Sequence, residues 1–312
     1  MRDQRYQTTL PHSPIPSPQS LIFLLLLAVS CRTAPELPPL NMAGIPLEPG
    51  GLAYVLVDTN TAVPILEHIT VKGLDKKNFN QMIDKTNYVA AAVFPKGGER
   101  RLQLAAWGNY PASGAKTALG LNREWKKFRS PVAKMDYWHS STTGASVSVN
   151  RGYALVSTSE NNTVIDPYIA EGVQAPEGFG EFVAGSAVSC WLENPGPVIN
   201  QKLSEMGIPV EIPAEMLFIS LFPVDGQANK DLYDAHLRIR FSSAAHARGL
   251  ATMISFMRNF STPDENEDKA TGTALLTALL FANEPVQNDN YLDIKTRLSG
   301  REISLLFGVF SL

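Results

Sequence analysis

Histidines, cysteines and acids are where chemistry would start, and in this chain they do not converge. His12 falls in a polar leader, and His68, His139, His236 and His246 are scattered without a pair at metal-ligand spacing. His236 and His246 are expected on solvated faces. No Gly-x-Ser-x-Gly elbow, P-loop or dinucleotide fingerprint occurs. Asp264-Glu265-Asn266-Glu267-Asp268 begins like a calcium loop. Lys269 then stands where the sixth position needs glycine, and Leu275 where the twelfth needs glutamate, so a solvated acidic loop is expected. Asp58 and Glu193 each follow a strand-like run. Capping the next helix is the ordinary task of such acids, with an acid pair as the alternative. Lacking a convergent titratable set, the chain is expected not to be an enzyme and to hold no cofactor or metal.

The residue with the clearest chemical prospect is Cys31. It follows Leu21-Ile22-Phe23-Leu24-Leu25-Leu26-Leu27-Ala28-Val29 and Ser30, and before that run lie polar, proline-rich residues with Arg2 and Arg5. Nine apolar residues rise only about 14 Å as a helix, against a bilayer core of about 30 Å. A short apolar run closed by small residues reads as a signal peptide over residues 1–30. Ala28-Val29-Ser30-Cys31 resembles a lipobox, in the relaxed form of spirochaete lipoproteins. That resemblance implies acylation of Cys31 (palmitate or a similar chain), cleavage before it and a membrane anchor. Two or three acyl chains hold a protein stably on a bilayer. Residues 31–50, with prolines at 35, 38, 39, 46 and 49, would form a semi-rigid tether. Arg32 is not the Asp that retains lipoproteins in the inner membrane, which leans the expectation towards the outer membrane, on its periplasmic or surface side. Cys190, in Ala187-Val188-Ser189-Cys190-Trp191-Leu192, is expected to be a buried, inert thiol.

Two segments suggest lipid contact. Residues 115–129 have Ala118, Leu121, Trp125 and Phe128 at helical spacing, with Lys116, Arg123, Lys126, Lys127 and Arg129 on the polar side. A basic amphipathic helix with Trp125 and Phe128 suits an anionic membrane surface, and packing on a sheet is the alternative. Ala274-Leu275-Leu276-Thr277-Ala278-Leu279-Leu280-Phe281-Ala282 is apolar nearly all round. Leu275, Leu279 and Phe281 would therefore be covered by another unit or by lipid.

The elements that must position these residues recur twice. Tyr88–Pro95 lays over Met216–Pro223, with Phe94 on Phe222 and Pro95 on Pro223. Ahead of each stands a strand, Ala53–Asp58 or Ala187–Leu192, and then a helix opened by Pro64 or Pro197. After each comes an alternating strand, with Leu102, Leu104 and Ala106 or Leu237, Ile239 and Phe241 on one side. A helix follows, carrying Trp125 and Phe128 in one case and Leu250, Met253, Met257 and Phe260 in the other. Tyr153–Thr158 then matches Tyr291–Thr296, and Asn161–Ile169 matches Ser299–Phe307, where Ser299 and Glu302 form a capping box. The expectation is an α+β protein of two tandem units, 43–175 and 180–312. Each runs strand-helix-strand-strand-helix-strand-helix, with an antiparallel or mixed sheet and helices packed on one face. This order resembles duplicated extracytoplasmic lipoprotein domains of unassigned function.

Composition bounds the partners. With 312 residues, 44% of them hydrophobic, the chain can bury a sizeable core. A net charge of −3 carries no basic excess for nucleic acid. Seven of the 22 prolines lie in residues 1–40, outside any expected core. The functional expectation is a lipoprotein of the bacterial cell envelope with a binding or structural role, contacting lipid or an envelope protein. The alternative is a solute-binding lipoprotein with a cleft between its units.

Overall fold

A computed structural model describes residues 45, 47–69, 76–96, 99–131, 134–142, 144–150, 152–158, 172–205, 211–224, 226, 231–258 and 283–309. Cys31 and the apolar segment 274–282 with Leu275, Leu279 and Phe281 lie outside these residues. So does the helix expected over Asn161–Ile169.

The strands form where apolar residues alternate or run continuously. Leu232–Phe241 alternates strictly, with Tyr233, Ala235, Leu237, Ile239 and Phe241 buried. Ala214–Pro223 is apolar apart from Glu215 and Ser220 and buries side chains on both sides. In chain order the strands are β1 (Ala53–Asp58), β2 (Thr86–Lys96), β3 (Glu99–Gly108), β4 (Trp125–Arg129), β5 (Asp136–Ser140), β6 (Ala145–Asn150) and β7 (Tyr153–Thr158). There follow β8 (Val188–Glu193), β9 (Ala214–Pro223), β10 (Leu232–Phe241), β11 (Val286–Asn288) and β12 (Tyr291–Ser299). The helices are α1 (Val63–His68), α2 (Lys76–Ile83), α3 (Ala112–Leu121), α4 (Phe179–Val183), α5 (Gly196–Glu205), α6 (Ala244–Arg258) and α7 (Gly300–Val309). The protein is α+β, as the pattern predicts, and its strand pairings are antiparallel. Pro64 stands in the first turn of α1. At α7 the expected capping box forms: Ser299 N–H donates to Glu302 Oε2 at 2.7 Å, and Glu302 N–H to Ser299 Oγ at 3.3 Å.

The twelve strands of the described residues join one sheet in the order β11-β12-β10-β9-β8-β1-β2-β3-β7-β6-β5-β4. Read outward from the β1–β8 pair, the order is β1-β2-β3-β7-β6 one way and β8-β9-β10-β12-β11 the other. The registers repeat as well. Ala53 pairs with Val93 as Val188 pairs with Leu221, and Phe94 with Arg101 as Phe222 with Asp234. Tyr153 pairs with Trp107 as Tyr291 pairs with Arg240. Bonds at the strand ends follow suit. Leu52 N–H donates to Val93 C=O at 2.7 Å and Ala187 N–H to Leu221 C=O at 2.8 Å; Gly108 N–H donates to Gly152 C=O and Phe241 N–H to Asn290 C=O, both at 2.9 Å. Phe94 and Phe222 therefore hold matching places, as do Tyr153 and Tyr291. One alignment needs correcting: β1 matches Val188–Glu193 rather than Ala187–Leu192. A one-residue slip would send every side chain of β8 to the wrong face.

Helices α1, α6 and α7 cover the first face, where Ile65, Leu250, Ile254 and Ile303 pack on Leu217, Leu221, Leu237 and Ile294. Helix α3 joins them over β3, β6 and β7, through Ala115 and Leu119. The expectation of helices on one face holds for these four, whereas α4 lies on the other. There Phe179 sits 4.7 Å from the Trp191 ring and 5.5 Å from Phe218, and Trp191 stacks on Tyr54 at 4.6 Å. Ile45 and Leu47 are fully buried on this second face, and Ile45 bridges Val173. The two units meet as a hydrogen-bonded strand pair within one sheet, so the β1–β8 junction is a ladder and not a cleft. Among the described residues no helix is long and apolar enough to cross a membrane.

Candidate functional site: the basic edge strand

The basic stretch is not the single helix its spacing predicts. Helix α3 closes at Leu121, with Asn122 N–H donating to Ala118 C=O. Asn122 then turns its side chain onto the backbone, Oδ1 accepting from Glu124 N–H at 2.9 Å. Such a local bond offers the chain an alternative to helix, and Gly120 in the last turn weakens the helix further. Trp125–Arg129 leaves the turn as β4, whose strand partner is β5 and which ends the sheet order. The helical spacing is thus split between two elements. Leu121, expected on the buried stripe, is 79% exposed.

Strand geometry sorts the candidate residues by side. Trp125 is 5% exposed and packs with Ala115, Leu119 and Trp138, so it is a core residue and not a lipid contact. Lys127 shares its side of the strand but remains exposed. Its Nζ lies 2.8 Å from Asp136 Oδ2 and 5.9 Å from the centroid of the Trp138 ring. The Lys127 bond holds the Asp136 carboxyl below its usual range, with Arg129 and Lys116 adding to the effect. On the other side Phe128 stacks on Tyr137 at 5.6 Å and meets the His139 ring edge-on at 6.4 Å. Lys126 and Arg129 are exposed, and so is Arg123 in the turn before the strand. Lys116, on α3, reaches Asn150 Oδ1 at 3.5 Å. The structure thus brings Arg123, Lys126, Lys127 and Arg129 to one sheet edge. Trp125 and Phe128 anchor the strand beneath them.

Strand β5, missed in the sequence, is what holds this edge. Ser140 Oγ donates to Glu124 Oε1 at 3.0 Å, and His139 Nδ1 lies 2.9 Å from Ser146 Oγ. Burial lowers the pKa of His139, which favours the neutral ring. The tyrosine, tryptophan and histidine of Asp136-Tyr137-Trp138-His139-Ser140 are the signal that was available, since aromatics favour strands.

The overall fold has a counterpart among solved structures. The protein TP0453 of the spirochaete Treponema, in its crystal form IV, superposes with a TM-score of 0.58 over 85% of this chain and 96% of TP0453, at 13% identity. The chain has the TP0453 fold. Crystal form I of TP0453 matches with a TM-score of 0.55 at 15% identity, over 87% of this chain and 98% of that one. Crystal form III gives 0.55 at 13% identity. At such identities TP0453 defines the architecture alone. No protein-family profile matches the sequence, and no curated relative is similar to it in sequence.

At the far end of the second face, remote in strand order from β4, lies a second set of charges. Arg238 grips Asp293 with both arms of its guanidinium, at 2.6 and 3.0 Å, and lies over the Phe182 and Tyr291 rings at 5.1 and 5.6 Å. Arg297 pairs with Asp234 at 2.8 Å. His236, expected to be solvated, is half-buried beside the Phe222 ring at 4.8 Å, and burial lowers its pKa. His246 is exposed, between Ser242 and Ser243 at 3.1 Å each. No group of three or more His, Cys, Asp or Glu that could hold a metal ion occurs among the described residues.

Proposed function

We propose that this chain is a lipid-anchored protein of the bacterial envelope with a binding or structural role and no catalysis, whose body meets anionic lipid headgroups through the basic edge at β4. The observation that carries the reading is the exposure of Lys126 and Arg129 on a terminal strand, and of Arg123 in the turn leading into it, with buried Trp125 fixing the strand. Lysine on an edge strand also discourages strand-to-strand aggregation, so charge there serves solubility in any case. What favours a membrane is the combination with an acylated Cys31. Anchored chains raise the local concentration of headgroups around a weak site. Each basic residue near an anionic surface contributes on the order of 1 kcal/mol, and the effect fades with salt. A non-catalytic role fits the way the charged groups are taken up in cross-strand pairs, Lys127 with Asp136, Arg238 with Asp293 and Arg297 with Asp234. The outer membrane is the proposed site, on the ground of Arg32 after the acylated cysteine.

Two variants test this reading. Cys31→Ser should abolish acyl labelling and move the protein from the detergent phase to the aqueous phase. In that background Arg123→Glu, Lys126→Glu and Arg129→Glu together should end flotation with phosphatidylglycerol vesicles at low salt, while circular dichroism stays unchanged. Lys127 is left in place because its loss would strand Asp136. If Cys31→Ser still takes up acyl label, the anchor is refuted. If the triple variant floats like its parent, the edge is not the lipid contact.

A further inference from the structure

The junction between the two units is self-complementary. Val55 lies opposite Cys190 in the β1–β8 ladder, and these two residues are also each other's counterparts in the repeated register. The twofold axis therefore crosses the sheet between them. Its signature is a reciprocal bond: Asp58 N–H donates to Ala187 C=O at 2.9 Å, and its counterpart Glu193 N–H donates to Leu52 C=O, the counterpart of Ala187, at 3.1 Å. Thr59 N–H to Asn87 C=O at 3.0 Å and Asn194 N–H to Glu215 C=O at 2.9 Å continue the relation one residue further out. A contact in which residue i meets j and the equivalent of j meets the equivalent of i is the rule of a C2 dimer, here found inside one chain.

We infer that the chain is a fused homodimer of one ancestral unit, and that β1 and β8 are each a strand edge able to pair with a second copy of itself. The side chains allow this. A β1 strand paired with β1 of another molecule about the same axis would set Tyr54 opposite Leu56, Val55 opposite Val55 and Ala53 opposite Val57. A β8 pair would set Ser189 opposite Trp191 and Cys190 opposite Cys190. No like charges meet within either ladder, and in both the apolar sides match those of the present junction. Within one chain the tether between units favours closure of β1 on β8, so exchange with a second molecule shows itself at high protein concentration.

Cysteine cross-linking in the full chain bearing Cys31→Ser tests the inference. Val55 and Cys190 form a pair without mutual backbone bonds, whose Cα atoms lie roughly 4.5 Å apart, within disulfide reach. Val55→Cys should therefore close onto Cys190 inside the monomer when the unfolded chain is refolded at low concentration with mild oxidant, with both thiols lost. For the self-pairing edge, Cys190→Val removes that partner and keeps an apolar side chain in its place. Val55→Cys or Val57→Cys is then added, and each protein is unfolded and refolded at high concentration with mild oxidant. About the proposed axis residue 55 meets residue 55, whereas two copies of residue 57 are four residues apart along the strands, roughly 13 Å. Disulfide dimer should form at position 55 in roughly tenfold excess over position 57. Equal yields at the two positions, or no dimer at either, would overturn the self-pairing edge. Failure of Val55→Cys to close onto Cys190 would overturn the axis itself. Neither result bears on the lipid anchor or the basic edge.

Discussion

Replacing Trp125 with Ala separates a strand anchored in the core from a helix lying on lipid. Trp125 is 5% exposed and fills the space between Ala115 and Leu119 of α3 and Trp138 of β5. Truncating a buried aromatic to Ala costs roughly 3–5 kcal/mol, the sum of lost burial and the cavity left behind. Partial collapse is restricted here, because the cavity walls belong to two different elements, α3 and β5. For a body of this size each kcal/mol lowers the melting temperature by about 2–4 °C, so the expected fall is roughly 6–20 °C. Two assays run in parallel: thermal unfolding by circular dichroism, and flotation with anionic vesicles below the transition. The strand placement predicts a large fall in melting temperature, with vesicle binding preserved so long as the hairpin is folded. Amide exchange should show the same locality, with β4 and β5 losing protection first. A melting temperature within about 2 °C of the parent, together with weakened vesicle binding, would refute the reasoning and return Trp125 to a lipid-facing helix.

Three further outcomes are expected. Gly108→Ala should destabilise the protein by about 1–3 kcal/mol or more, read by denaturant titration, because a Cβ there would run into the Lys85 carbonyl oxygen and Thr86 Cα. Cys190, whose thiol burial pushes up to about 12, should resist thiol reagents at pH 8 in the native protein and react fully once unfolded. His139 and His236 have pKa values lowered by burial, so the unfolded chain binds more protons than the folded one as pH falls through about 6.5. Their contribution to stability is present above that pH and lost below it, and His139→Gln should flatten the fall in stability on acidification.

Much of the fold was legible where a short-period pattern carries it. Leu237, Ile239 and Phe241 announce a strand by alternation, Pro64 a helix start, and Ser299 with Glu302 a cap, because each signal is local. Phe94 with Phe222 and Tyr153 with Tyr291 were found by order along the chain, and the registers agree with them. Three things were not legible. Trp125 and Phe128 satisfy helical spacing and a strand pair equally well, and the deciding residue is the polar Asn122. Strand β6, Ala-Ser-Val-Ser-Val-Asn, buries small serines that composition reads as solvent-facing: Ser146 and Ser148 are fully buried. Helix α4 has only five residues, too few to show a period, yet it carries Phe179 and Phe182 into the second face.

The twofold relation also changes the meaning of the two segments first singled out for lipid contact. In the first unit the basic stretch of β4 lies between α3 and the β6–β7 hairpin; in the second, residues 274–282 lie between α6 and the β11–β12 hairpin. Those are the same interval of the repeated unit. Strands β6 and β11 are equivalents, since Asn150 faces Tyr153 as Asn288 faces Tyr291. The chain between the helix and the last hairpin carries the cations in one copy and an apolar stretch, interrupted only by Thr277, in the other. In the first unit that interval adds the β4–β5 hairpin beyond β6, the last strand of the shared order. The basic edge at β4 is the contact proposed for the first unit, and the β1–β8 ladder is what joins the two units.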